Sequence, residues 1–260
     1  MTKKRSVTAP VAYLDEIFLG SDDARPLRIL SEYLEPLQAF RREHIRSTIV
    51  FFGSARLNSD GPLGRYYDEA RELSRLITQW AMTLSSHAHH YVVCSGGGGG
   101  IMEAANRGAS EAGGRTIGLN ISLPYEQQPN PFITPNLSFE FHYFFMRKLW
   151  FAHLAHALVV FPGGFGTLDE LTEILMLTQT HKLERRIPIL LYGPSFWNEI
   201  INFDALVRHG MIDQEDMKLF EFVDTPQQAL QRLQTILSPA DADDAPAFAH
   251  SRIRGESDAT

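Results

Sequence analysis

Two glycine-rich segments carry the residues best suited to chemistry. The run Ser95-Gly96-Gly97-Gly98-Gly99-Gly100-Ile101-Met102-Glu103 follows a short apolar stretch and precedes a helical pattern. Five consecutive glycines leave no side chain between the backbone N–H groups and an incoming ligand, and ordering them costs entropy that a bound group can offset. Exposed amides at a helix start, together with the helix dipole, favour an anion such as phosphate. A merely flexible loop is the plain alternative. The second segment, Phe161-Pro162-Gly163-Gly164-Phe165-Gly166-Thr167-Leu168-Asp169-Glu170, fits the pattern P-G-G-x-G-T-x-x-E. At average residue frequencies that pattern arises by chance on the order of 10⁻⁵ times per chain. Its glycines and the Thr167 hydroxyl can meet a phosphate or a ribose. Glu170 and Glu173, three residues apart, share one face of the following helix. Dipole complementation alone also accounts for carboxylates at a helix start. A third turn, Gly53-Ser54-Ala55-Arg56, closes another apolar run and offers Ser54 and Arg56 to the same cleft.

The common nucleotide fingerprints fail. Reading G-x-G-x-x-G from Gly96, Gly97 or Gly98 puts Ile101, Met102 or Glu103 at the last position, and reading from Gly164 puts Asp169 there. No Gly-Lys pair exists for a P-loop. His87, His89 and His90 lie between a helix and a strand, without acidic partners at metal-ligand spacing, and read as a solvated loop. His142, His153 and His156 read as packing residues. Cys94 lacks a base partner and reads as a buried structural thiol.

The elements that must hold these turns alternate between apolar runs and helical patterns from residue 48 onward, which points to a parallel sheet covered by helices. The runs 48–52, 91–94, 116–119, 157–161 and 187–191 predict strands, and 220–223 a further edge strand. Helical patterns cover 66–84, 101–111, 144–156, 168–180, 195–209 and 226–237. Residues 26–46 add an N-terminal helix that Pro36 is expected to kink or split. The expected fold is α/β: a single Rossmann-like, doubly wound parallel sheet with helices on both faces. The expected organisation is a tail (1–25), an N-terminal helix (26–47), one catalytic domain (48–237) and a flexible tail (238–260). In such sheets ligands bind outside the carboxyl ends of the strands, where all three turns fall.

Composition excludes several classes. The 260 residues carry 24 Lys and Arg against 31 Asp and Glu, a net charge of −7 that argues against a nucleic-acid partner. One cysteine forbids an internal disulfide or a multi-cysteine zinc site. No run approaches the ~20 apolar residues of a membrane span, and the N-terminus lacks the apolar stretch of a signal peptide. The expectation is a cytoplasmic protein without membrane or nucleic-acid partners.

The segments 95–109, Phe145-Met146-Arg147-Lys148, and 162–170 together resemble the LONELY GUY (LOG) family of cytokinin riboside 5'-monophosphate phosphoribohydrolases. The resemblance spans roughly 48–237, including Gly113-Gly114-Arg115-Thr116-Ile117-Gly118-Leu119-Asn120. Many members were formerly labelled lysine decarboxylases, and relatives act as nucleoside-monophosphate nucleosidases. It implies hydrolysis of the N-glycosidic bond of a nucleoside 5'-monophosphate to free base and ribose 5-phosphate, with Arg147 and Glu170 catalytic. Gly97, Gly98, Gly99, Gly100, Met102, Lys148, Gly163, Gly164, Gly166, Thr167 and Glu173, with Ser54 and Arg56, are the implied substrate-binding set. No metal and no cofactor are implied, and a homodimer or higher homo-oligomer is. Gly99 departs from the family, which often has proline there. Two other functions stand beside this one. A pyridoxal-phosphate lysine decarboxylase would need a Schiff-base lysine, and of the five lysines only Lys148 adjoins a motif. A non-catalytic nucleotide or cofactor carrier would use the phosphate loops without needing the Arg147 and Glu170 pair.

Overall fold

A computed structural model describes residues 9–84, 89–123, 128–183 and 185–237. In chain order the elements are α1 (Glu16–Gly20), α2 (Arg25–Arg42), β1 (Thr48–Phe52), α3 (Gly64–Ala81), β2 (Val92–Ser95), α4 (Ile101–Glu111) and β3 (Thr116–Ile121). They continue with β4 (Ser138–Phe141), α5 (Phe144–Leu154), β5 (Ala155–Val160), α6 (Phe165–Gln179), β6 (Ile189–Tyr192), α7 (Pro194–Ile200), α8 (Phe203–Arg208), β7 (Phe220–Val223) and α9 (Pro226–Ile236). The strands form one seven-stranded parallel sheet in the order β4-β3-β2-β1-β5-β6-β7. The α/β fold read from the sequence is the fold observed.

Strand periodicity builds a core on each face of this sheet. In β1, Ile49 and Phe51 point to one side and Val50 and Phe52 to the other; β5 divides likewise into Ala157 and Val159 against Leu158 and Val160. The first side packs on α3, α4 and α9 through Leu73, Ile77, Ala104, Ala105 and Leu233. The second side packs on α2, α5, α6 and α7 through Phe40, Trp150, Phe151, Leu171 and Trp197. β1 is buried along its whole length, as a central parallel strand covered on both faces must be.

The chain winds outward from β1 to β4, then returns so that β5 pairs with the free side of β1. This reversal opens a crevice beyond the carboxyl ends of β1 and β5, the switch point where open α/β sheets bind ligands. The glycine turns after β1, β2 and β5 all reach it.

Several boundaries differ from the sequence reading. β4 went unrecognised because it is a four-residue edge strand whose Ser138 and Glu140 are exposed while Phe139 and Phe141 are buried. The 195–209 pattern divides into α7 and α8, since the Asn202 side chain accepts the Ala205 N–H and starts a new helix. α2 runs unbroken through Pro36. α5 stops at Leu154, and His156 belongs to β5. The predicted C-terminal tail (238–260), residues 1–8 of the predicted N-terminal tail and His87 lie outside the described residues.

Candidate active site

The three turns are bonded to one another at the backbone. Ser54 N donates to Pro162 O at 3.0 Å, and Ser54 O accepts from Ile101 N at 3.0 Å, so the loop after β1 bridges the other two. Gly100 allows this approach: its φ is +63°, and a Cβ there would collide with the Ser54 carbonyl oxygen. Gly163 plays the matching part in the third turn, where a Cβ would occupy the place of the Thr167 hydroxyl.

These turns floor a cleft of about 820 Å³, within the range of small-molecule sites. Ser54, Arg56, Gly96, Met102, Arg147, Gly163, Gly164, Gly166, Thr167 and Glu170 line it, and Phe144, Phe151, Phe165 and Ile200 supply apolar walls. α4 and α6 begin at Gly100 and Gly164 without a capping side chain. A helix start leaves N–H groups without intrahelical acceptors, which is the ordinary means of holding a phosphate.

Arg147, on the first turn of α5, and Glu170, on the second turn of α6, meet in this cleft. Arg147 Nη2 donates to Glu170 Oε1 at 3.1 Å. Glu170 is only 5% exposed. Burial pushes its carboxyl above the ordinary carboxylate range, against the opposing pull of Arg147 and Lys148. Burial also works against the charge of Arg147, which Glu170 and Asp169 favour. The guanidinium lies 5.4 Å from the Phe144 ring centroid and 5.6 Å from that of Phe151, so two aromatic faces hold it in place. Its Nε is buried without a hydrogen-bond partner.

Other predicted residues stand apart from the cleft wall. Gly97, Gly98, Gly99 and Gly100 do not line the cleft; of the glycine run and the helix start after it, Gly96 and Met102 do. Behind them, the Asn130 side chain donates to the carbonyls of Gly97 and Gly98, each at 3.0 Å, and to Asn106 Oδ1 at 2.8 Å. Asn106 Oδ1 also accepts from Ser95 Oγ at 2.7 Å. Sequence reading missed Asn130, since nothing local marks a side chain that braces a loop 33 residues away. Lys148 points to α6, where Nζ lies 2.8 Å from both Asp169 Oδ2 and Glu173 Oε2. Burial works against its charge, and the bonds to these two carboxylates outweigh it and raise its pKa. Cys94 is buried in β2 and burial pushes its thiol well up, leaving no thiolate for nucleophilic chemistry. Among the described residues no cluster of His, Cys, Asp or Glu has the arrangement of a metal site. Among them, too, no helix is long and apolar enough to cross a membrane.

A family model described as possible lysine decarboxylase matches residues 102–233. The chain belongs to this family. Its LOG members include the rice (Oryza sativa subsp. japonica) cytokinin riboside 5'-monophosphate phosphoribohydrolase LOG, 26% identical over 197 residues, which are 75% of each chain. A second rice protein, a probable phosphoribohydrolase of the same kind, is 31% identical over 87 residues, 34% of this chain and 38% of its own. Among solved structures, a structural-genomics target is 23% identical with a TM-score of 0.53 over 73% of this chain and 99% of its own. The molybdenum cofactor binding protein of Rippkaea orientalis is 18% identical, also at a TM-score of 0.53, over 74% of this chain and 98% of its own. At these identities the structural likeness is one of fold, and LOG-type enzymes and a cofactor binder both occupy it.

Proposed function

We propose that the cleft hydrolyses the N-glycosidic bond of a nucleoside 5'-monophosphate, AMP or an N6-prenylated AMP, releasing free base and ribose 5-phosphate. The observation that carries this reading is the buried Arg147–Glu170 pair, set in one cleft beside the uncapped starts of α4 and α6. The phosphate binds at the helix starts, against Gly163, Gly164, Gly166 and Thr167 and beside Gly96 and Met102. Held there, it directs binding energy to orienting the distant glycosidic bond. As that bond breaks, positive charge grows on C1' and the ring oxygen of the ribose. Glu170 stabilises this charge and takes a proton from the attacking water. The water oxygen bonds to C1', the bonding pair leaves with the base nitrogen, and the proton that Glu170 took from the water passes to that nitrogen by way of solvent, which restores the carboxylate. A carboxyl whose pKa burial raises is suited to such transfer. Arg147 holds Glu170 in orientation through the bond from Nη2 of its rigid, planar guanidinium.

The identity of the base follows the name of the rice relative, and the apolar walls Phe144, Phe165 and Ile200 suit a purine with an apolar substituent. The reading extends to a homodimer through α5 and α6, whose Phe145, Leu149 and Met176 are exposed. It also places the protein in the cytoplasm. Lysine decarboxylation fits less well, because among the described residues no lysine lines the cleft and Lys148 is engaged by two carboxylates. Incubation with AMP and with N6-prenylated AMP, followed by chromatography, is the test. Free base supports the hydrolase. Nucleotide that binds and is recovered intact overturns it in favour of a carrier.

A further inference from the structure

Helix α5 has a weak start of its own. Its N-cap is Tyr143, and its N-cap side chain makes no capping bond, so the backbone donors near its start need acceptors from elsewhere. Two of them find one carboxylate on α2. Glu32 Oε1 accepts from His142 N at 2.8 Å, and Oε2 accepts from Tyr143 N at 3.2 Å. The charge of Glu32 therefore stands at the positive end of the α5 dipole. The Glu32 carbonyl oxygen also accepts from Trp150 Nε1 at 3.0 Å. Trp150 is buried in the core, 5.5 Å from the Tyr33 ring and 5.3 Å from the Phe40 ring, both on α2. One residue of α2 thus grips α5 at its start and again in its second turn.

What this grip holds is a wall of the cleft. The first turn of α5 carries Phe144 and Arg147, and both line the cleft. Arg147 meets Glu170 across 3.1 Å, and Phe144 covers the guanidinium. Slackening the start of α5 moves both together. Glu32 lies 110 residues from His142 and outside residues 102–233, the segment that the family model matches. The N-terminal helix thus reaches, from outside that segment, the helix that carries Arg147.

We propose that Glu32 is a positioning residue for the reaction, fixing the start of α5 so that Arg147 meets Glu170 and Phe144 closes the cleft. This rests on the hydrolase reading of the cleft, and Glu32 acts through Arg147 without touching substrate.

The test compares full-length wild type, Glu32→Ala and Glu32→Gln with AMP as substrate, well below each protein's Tm. A displacement on the ångström scale at a catalytic pair costs up to ~10²-fold in rate. Glu32→Ala is expected to lose about 10- to 100-fold in kcat with little change in KM, because the phosphate site stays intact. Glu32→Gln keeps one acceptor oxygen and is expected to fall between. A second readout is independent of turnover: the titration of the ¹³C-labelled Glu170 carboxyl, assigned by its loss in Glu170→Gln. The charged groups facing Glu170 are Arg147 and Lys148 from α5, and Asp169 and Glu173 on its own helix. Loosening α5 draws its cations away, so the Glu170 midpoint rises in Glu32→Ala. A lower Tm with kcat, KM and the Glu170 midpoint as in wild type overturns the proposal, because that is what packing alone produces. Should wild type leave AMP intact, the hydrolase reading fails and the midpoint alone decides the clamp. A rise then supports it, and no change overturns it.

Discussion

Replacing Glu170 with glutamine separates the chemical role of this residue from its structural one. The substitution keeps the shape of the side chain and an acceptor oxygen for Arg147 Nη2, now 3.1 Å away. It removes the charge and the proton-accepting group. The bond to Arg147 changes from charge-assisted on both sides to charged on one, a loss of about 1 kcal/mol. Against this, the buried carboxylate no longer has to be desolvated, so the fold is expected to survive. Turnover has no such offset. A lost general base lowers the rate by about 10²–10⁴-fold, equivalent to about 2.7–5.4 kcal/mol of transition-state stabilisation. The assay is release of adenine from AMP under saturating substrate, with calorimetric titration of AMP into the inactive variant. The expected result is kcat down by that factor and nucleotide affinity close to wild type. Turnover within a few-fold of wild type would remove Glu170 from the chemistry and refute the mechanism.

Three further outcomes are expected. Because burial raises the Glu170 pKa above its unfolded value, the folded protein holds that proton more tightly, so stability falls as pH rises from the ordinary carboxylate range through the raised value. Glu170→Gln lacks this loss, and its Tm relative to wild type should climb across that window; a difference flat with pH contradicts the buried carboxylate. Gly100→Ala forces a side chain onto φ +63° and against the Ser54 carbonyl, with about 1–3 kcal/mol of backbone strain before the collision is counted. Its Tm should fall by roughly 2–4 °C per kcal/mol, and an unchanged melt speaks against the bonded turns. Adenosine lacks the anion that the helix starts hold, so its kcat/KM should be at least ~10²-fold below that of AMP; equal values would mean that phosphate contributes nothing to positioning.

The glycine turns and the sheet were legible because both are written locally. Runs of apolar residues between helical patterns announce parallel strands, and a glycine run between strand and helix announces a backbone that something must approach. The strand order decides which turns meet, and it depends on long-range pairing such as Phe52 with Val160. Arg147 and Glu170 are 23 residues apart on different helices, and no spacing rule joins them; the resemblance supplied that pair. Glu32 and Asn130 act at distances of 110 and 33 residues along the chain, as a charge on a helix face and an amide in a loop, so nothing local marked either. The long glycine run also shows a limit of composition. It offers five bare backbone positions, yet Gly97 and Gly98 turn their carbonyls to Asn130, and Gly96 and Met102 meet the cleft.

The central claim is that this cleft cuts a nucleotide between sugar and base. Its most direct test is a time course of wild-type protein with excess AMP, in which adenine and ribose 5-phosphate are quantified in the same samples. The account predicts that both rise together in equal amounts over many turnovers. Quantitative recovery of AMP from protein that has bound it would contradict the claim.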